Sequence, residues 1–235
     1  MCTMTSPHCR SIVAGVSALG ILACHRAPPP TGDRLWAHYA RGGEVVTAVI
    51  DGDLERARRA GRVLAEEAAA ESLGSRRGAH TVELRREAIR MAEAGDIPAA
   101  AAAVGAMAKT CGDCHQSRLA NPRFMPALVP IEGRNAIQTQ MQLHRWAADR
   151  MWDGLAHPSD SAWAWGARML AMEPLYQFDV GLRTGDMEQA QRLAQRVYDL
   201  GRRARGTTDP AARAELYGEF LATCASCHTV ARPRR

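Results

Sequence analysis

Asp96-Ile-Pro-Ala-Ala-Ala-Ala-Ala-Val-Gly-Ala-Met-Ala-Lys-Thr-Cys-Gly-Asp-Cys-His115 and Asp209-Pro-Ala-Ala-Arg-Ala-Glu-Leu-Tyr-Gly-Glu-Phe-Leu-Ala-Thr-Cys-Ala-Ser-Cys-His228 decide how this chain is read. The second stretch repeats the first 113 residues later, aspartate for aspartate and motif for motif. Each aspartate is followed closely by a proline, Pro98 or Pro210. That is the chemistry of a helix start: a carboxylate N-cap, then a proline in the first turn, where a missing N–H leaves no bond unmade. Fifteen residues separate each aspartate from its first cysteine. Each Cys-x-x-Cys-His therefore falls near the C-terminal end of a helix of about four to five turns.

Upstream, a second offset takes over. His38 and His144 are 106 residues apart, as are Arg62 and Arg168, Leu64 and Leu170, and Ala65 and Ala171. The second copy thus carries seven extra residues between its second helix and its last. A repeat of this length is one supersecondary unit used twice. Punctuation by Asp51-Gly-Asp53, Gly74 to Gly78 and Gly95-Asp96 predicts helices at 33–50, 53–72, 81–94 and 97–116. In the second copy, His157-Pro-Ser159, Pro174, Thr184-Gly-Asp186 and Gly206 to Asp209 predict helices at 138–156, 159–172, 186–205 and 210–228. Residues 33–116 and 138–230 are the two copies, and the proline-bearing stretch 117–137 links them.

Seven cysteines are present. Cys2 and Cys9 lie in an apolar leader, Cys24 closes it, and the remaining four all fall in the two Cys-x-x-Cys-His motifs. This spacing is the signature of covalent haem attachment. On a helix, residues three apart share a face, so both thiols reach the porphyrin vinyl groups and the next histidine reaches the iron. Cys111, Cys114, Cys224 and Cys227 are expected to bind two haem c groups, with His115 and His228 as proximal iron ligands. Zinc could use two cysteine pairs, but these are far apart in sequence and zinc does not require a histidine after each. A thioredoxin-like motif needs a βαβ setting that the helical pattern lacks, and structural disulfides need no histidines. Four short helices with a haem in the core make a four-helix bundle. The expected fold is all-α: two tandem short four-helix-bundle repeats packed together, each with one covalent haem c.

The other side of the iron decides the chemistry. His38 and His144 occupy equivalent places in the first helix of each copy, under an offset fixed independently by the Arg-x-Leu-Ala pairs. They are the expected distal ligands, because first and last helices of a bundle are neighbours. Met141 and Met151 have Leu35 and Val45 as counterparts, so no shared methionine ligand exists there. Met107 sits one turn before Cys111, and nothing pins Met125 in the linker. These methionines are expected to pack against porphyrin as core. His80 has no histidine counterpart and His157 precedes a proline in a turn; both are expected to be cap or surface residues.

The motif position and helix count resemble those of class II c-type cytochromes, the cytochrome c prime group. The resemblance spans residues 33–230 as two copies, each short for that fold. It implies proximal ligation by His115 and His228 and an open, gas-accessible iron opposite. This chain departs from that pattern by offering His38 and His144 there. The expected function is therefore single-electron transfer between redox partner proteins by a bis-histidine, low-spin dihaem cytochrome rather than catalysis. The alternatives are a gas- or ligand-binding haem protein with an open iron, and a dihaem peroxidase, for which no repeated distal acid–base set is found.

Composition bounds the setting. Apolar residues are 46% of the 235, aromatic residues 5%, and Lys109 is the only lysine. Alanine and arginine dominate, which favours helix over sheet. Ser11 to Ala23 is an uncharged stretch preceded by Arg10, too short to span a bilayer and of signal-peptide length. It ends in Ile21-Leu22-Ala23-Cys24, which resembles a bacterial lipobox, and Pro28-Pro-Pro-Thr-Gly32 follows as a stiff tether. Residues 1–23 are expected to be a lipoprotein-type signal peptide, with 24–32 a tether lipid-anchored at Cys24; the alternative is an ordinary cleaved signal. Either places the protein outside the cytoplasm, in the periplasm or facing it from a membrane. The formal charge is +5, falling to +4 without the leader. Export argues against nucleic acid as a partner, and haem propionates would offset the arginines.

Overall fold

Short polar side chains start several of the helices, two of them at the expected Asp96 and Asp209. In the computed structural model, which describes residues 31–72, 78–117, 135–172 and 184–231 with positions 129 and 133, Asp96 Oδ1 accepts the Ala99 N–H at 2.8 Å. Asp209 Oδ1 accepts the Ala212 N–H at 2.8 Å in the same way. Asp53 caps through the Arg56 N–H, Asn135 through Gln138 and Ser159 through Ala162. Eight α-helices result among the described residues, with no strand. They are α1 (Thr31–Ile50), α2 (Leu54–Ser72), α3 (Gly78–Ala92), α4 (Ile97–Ser117), α5 (Ala136–Ala156), α6 (Asp160–Leu170), α7 (Thr184–Arg205) and α8 (Pro210–Ala231). None of the described helices is long and apolar enough to cross a membrane.

The two helices that end in Cys-x-x-Cys-His, α4 and α8, pack directly on each other. Small residues permit the approach. A Cβ on Gly105 would strike the Ala214 carbonyl oxygen, and one on Gly218 would lie 3.1 Å from the Ala101 carbonyl oxygen. These contacts are reciprocal, since Gly218 and Ala214 stand 113 residues after Gly105 and Ala101. α4 is also in contact with α1, α2, α3 and α5. A helix enclosed in this way is apolar nearly all round, which is why Ala100, Ala101, Ala103, Val104, Met107 and Ala108 are all buried on it.

The remaining helices pair around this axis. α2 packs on α3, where Gly61 meets the Ala88 and Ala92 backbone, and α5 packs on α6, where Gly154 meets Trp163. α3 returns to α4, while α6 and α7 lead back to α8. α1 and α5 each touch both α4 and α8, so the first helix of either copy lies against both motif helices. Fully buried Met91, Met107, Met151, Trp163, Leu170, Tyr217, Phe220 and Leu221 fill the core. Each such side chain contributes about 1.5–3 kcal/mol by leaving water. Two large buried side chains have their polar tips satisfied: Trp163 Nε1–H donates to the Ala204 carbonyl at 2.8 Å, and the Tyr217 hydroxyl donates to that of Ala148 at 3.2 Å.

Candidate functional site

At the end of α8, helical spacing puts Cys224 and Cys227 on one face, three residues apart, with His228 beside them. That face borders a cavity of about 220 Å³ between α5, α7, α8 and the end of α1. Ile50, Ile137, Met141, Ala194 and Val197 supply its apolar lining. His144 and Arg145 of α5 enter the same cavity from the side of the first helix. Of the residues singled out by sequence, Cys224, Cys227, His228 and His144 are therefore brought together.

The two histidines of this cavity hold defined tautomers. His228 Nδ1 lies 2.8 Å from the Ile50 carbonyl oxygen. A carbonyl only accepts, so Nδ1 carries the proton and the neutral ring has its lone pair on Nε2. Ile50 is the last residue of α1, where a helix leaves carbonyls without an intrahelical donor. Gln140 Nε2 donates to His144 Nε2 at 2.9 Å, so that nitrogen is unprotonated and its lone pair accepts this bond. Burial, followed by the nearby His228, lowers the His144 pKa to about 4. His144 is thus a neutral imidazole over the physiological range, the form in which histidine ligates metal. Arg145 pairs with Asp149 at 3.2 Å.

None of the four motif thiols is joined in a disulfide. Burial pushes Cys224 far above its usual range and Cys111 up to about 12, and it raises Cys227. Thiol–disulfide exchange requires the opposite, a cysteine activated by a lowered pKa. Among the described residues no three His, Cys, Asp or Glu side chains converge where a bare ion could be held. The two cysteine pairs are therefore not gathered into one tetrahedral zinc site.

The end of α4 repeats the arrangement. Cys111, Cys114 and His115 are half-buried, and His115 Nδ1 lies 2.5 Å from the Ala156 carbonyl oxygen. Ala156 is the last residue of α5, as Ile50 is of α1. The two carbonyls are 106 residues apart and the two histidines 113, so equivalent donors meet equivalent acceptors. The His157 ring stacks on His115 with centroids 5.4 Å apart and planes 18° from parallel. His157 Nδ1 stands 3.5 Å from Asp153, which forms a buried ion pair with Arg150 at 2.7 Å.

His38 belongs to α1, but its side chain lies outside the described part of the structure, as do Cys24 and Met125. His80 is half-buried in the first turn of α3, and Met107 is buried in the core. Met141 lines the cavity beside α8. Sequence reasoning missed four participants: the Ile50 and Ala156 carbonyls, Gln140 and the stacked His157. The 106-residue spacing of Ile50 and Ala156 was a usable signal, as was Gln140 one turn before His144. Comparison of the chain with protein-family models, with curated proteins and with solved structures finds no match.

Proposed function

We propose that the protein is an exported dihaem c-type cytochrome that passes single electrons between redox partner proteins. The observation that carries this reading is the cavity beside α8. It pairs two motif thiols and their histidine with a second neutral imidazole from another helix, against an apolar lining. These residues fit a haem: two thiols on one helical face for the porphyrin edge, the Nε2 of His228 for iron together with that of His144 once the Gln140 amide turns away, and Arg145 for an acidic substituent. Cys224 and Cys227 would hold the porphyrin, with His228 proximal and His144 distal. At the other site Cys111, Cys114 and His115 would do the same, with His38 as the distal ligand.

Bound haem supplies an iron that gains and loses one electron, at a lower potential with two histidines than with histidine and methionine. The protein does the rest. Ile50 and Ala156 fix the proximal rings by accepting their Nδ1 protons, and burial keeps His144 neutral. Apolar side chains exclude water, which limits the charge rearrangement that accompanies each electron. The finer architecture belongs to the same reading: two four-helix copies, 33–116 and 138–230, packed across α4 and α8 and similar to class II cytochromes. So does the location, periplasmic or lipid-anchored at Cys24, with no nucleic-acid partner.

The test is the optical spectrum of the purified holoprotein and of its His144→Ala variant in both oxidation states. The wild type should be low-spin throughout, and the variant should convert one of its two haems to a high-spin form that binds carbon monoxide. A wild-type ferrous spectrum that is high-spin and shifts at once with carbon monoxide would point to the gas-binding alternative. Unchanged spectra in the variant, with peroxide turnover, would point to the peroxidase.

A further inference from the structure

Each motif histidine gives its Nδ1 proton to the first helix of the opposite copy. His115 on α4 donates to Ala156 at the end of α5, and His228 on α8 donates to Ile50 at the end of α1. The acceptors are last-turn carbonyls at the negative end of a helix dipole, so they accept strongly and raise the electron density on Nε2. Such a bond to a metal-bound imidazole is one of the protein's levers on reduction potential. The helix end must approach the motif helix closely for the bond to form, and the two sites achieve this differently.

At the first site the small residue is on the motif helix. A Cβ on Gly112, inside Cys111-Gly-Asp-Cys114, would strike the Leu155 carbonyl oxygen and lie 3.3 Å from Pro158 Cγ. At the second site the equivalent of Gly112 is Ala225, and the equivalent of Pro158 is Gly52. Gly52 takes φ +68° at the end of α1, and a Cβ on it would lie 3.7 Å from the Ala225 carbonyl oxygen and 3.8 Å from its Cβ. Close approach therefore requires glycine on the motif helix at the first site; at the second the motif helix carries alanine, and the turn glycine is called for by its positive φ, since a Cβ there would make only ordinary contacts.

We infer that the two haem sites are interlocked, each proximal histidine being oriented by the other copy, and that Gly112 is the positioning residue that lets α5 reach His115. The inference rests on the haem reading above. Haem attachment itself does not need the glycine, because Ala225 stands at the same place in the second motif. What Gly112 sets is the distance between α4 and the Ala156 carbonyl. Loss of that acceptor makes the His115 imidazole a weaker donor and favours ferrous over ferric iron.

The experiment is a potentiometric titration of the full-length holoprotein and its Gly112→Ala variant, with covalent haem counted by intact mass. The variant should keep two haems and move one of two one-electron waves to a more positive potential, the other staying in place. A tenfold change in the relative stability of the two oxidation states reads as about 59 mV. Two haems with both waves unmoved would overturn the inference. If Gly112→Ala fails to take up its first haem, the wild type decides through nuclear Overhauser contacts of the His115 Nδ1 proton in the diamagnetic ferrous state. Contacts to Ala156 and His157 are expected; contacts confined to the first copy would overturn the inference. A wild-type protein without covalent haem would instead defeat the haem reading itself.

Discussion

Replacing Gly105 by alanine should destabilise the protein by about 2 kcal/mol, whereas the same change at the equivalent Gly218 should cost little. Both glycines lie six residues before the first cysteine of their motif, at the crossing of α4 and α8. The new Cβ at Gly105 meets the carbonyl oxygen of Ala214 inside contact distance, with the Ala214 carbonyl carbon at 3.1 Å and the Gly218 nitrogen at 3.5 Å. All three are backbone atoms of a helix and cannot rotate aside. Overpacking of this kind costs about 1–3 kcal/mol, and a backbone clash belongs at the upper end. Alanine in a helix interior returns about 1 kcal/mol relative to glycine, which leaves about 2 kcal/mol. At Gly218 the nearest atoms, the Ala101 oxygen and Ala102 Cα, stand at 3.1 Å, so a shift of a few tenths of an ångström suffices. There the propensity gain roughly offsets the strain. Guanidinium unfolding of both variants, followed by far-ultraviolet circular dichroism, measures the difference. Equal stabilities for Gly105→Ala and wild type, or a larger loss at Gly218, would refute the crossing described here.

Two further outcomes follow from buried polar groups. Tyr217 is fully buried and its pKa is raised well above 10, chiefly by burial and then by Asp149. The fold keeps the phenol proton that the unfolded chain releases above about pH 10, so unfolding is favoured as pH rises there. Tyr217→Phe should cost about 1 kcal/mol at neutral pH through the lost bond to Ala148, and that deficit should shrink as pH passes 10. A deficit constant with pH would contradict this. Arg150→Met leaves Asp153 buried without its ion-pair partner and should cost about 3–5 kcal/mol, while adding Asp153→Leu should recover most of it. Thermal unfolding of the single and double variants reads both.

Much of the architecture was legible because its signals are local. Asp96 and Asp209 announce helix starts through their own side chains, and each cap forms where expected. Ser159 was expected to begin a helix and instead caps one that begins at Asp160, a difference of one residue in a terminus that the cap itself defines. His144 was legible because it pairs with His38 under the same 106-residue offset as the Arg-x-Leu-Ala residues, and it does line the cavity beside His228. The exchange between copies was not. An offset equates Ile50 with Ala156, but it carries no information about which motif histidine each one meets. That depends on how α4 and α8 cross, a contact between backbones at Gly105 and Gly218 that no side-chain pattern records. His157 was missed for a related reason: next to proline in a turn it reads as surface, and only the docking of α5 on α4 stacks it on His115.

The central claim is covalent haem at both motifs. Intact mass of the full-length protein, taken with its reduced optical spectrum, tests it. Two haem masses should be added to each chain, one lost on replacing Cys111 and Cys114 by alanine and the other on replacing Cys224 and Cys227, with low-spin c-type bands throughout. A chain of unmodified mass with no haem spectrum, or one whose thiols are joined in disulfides, would contradict it.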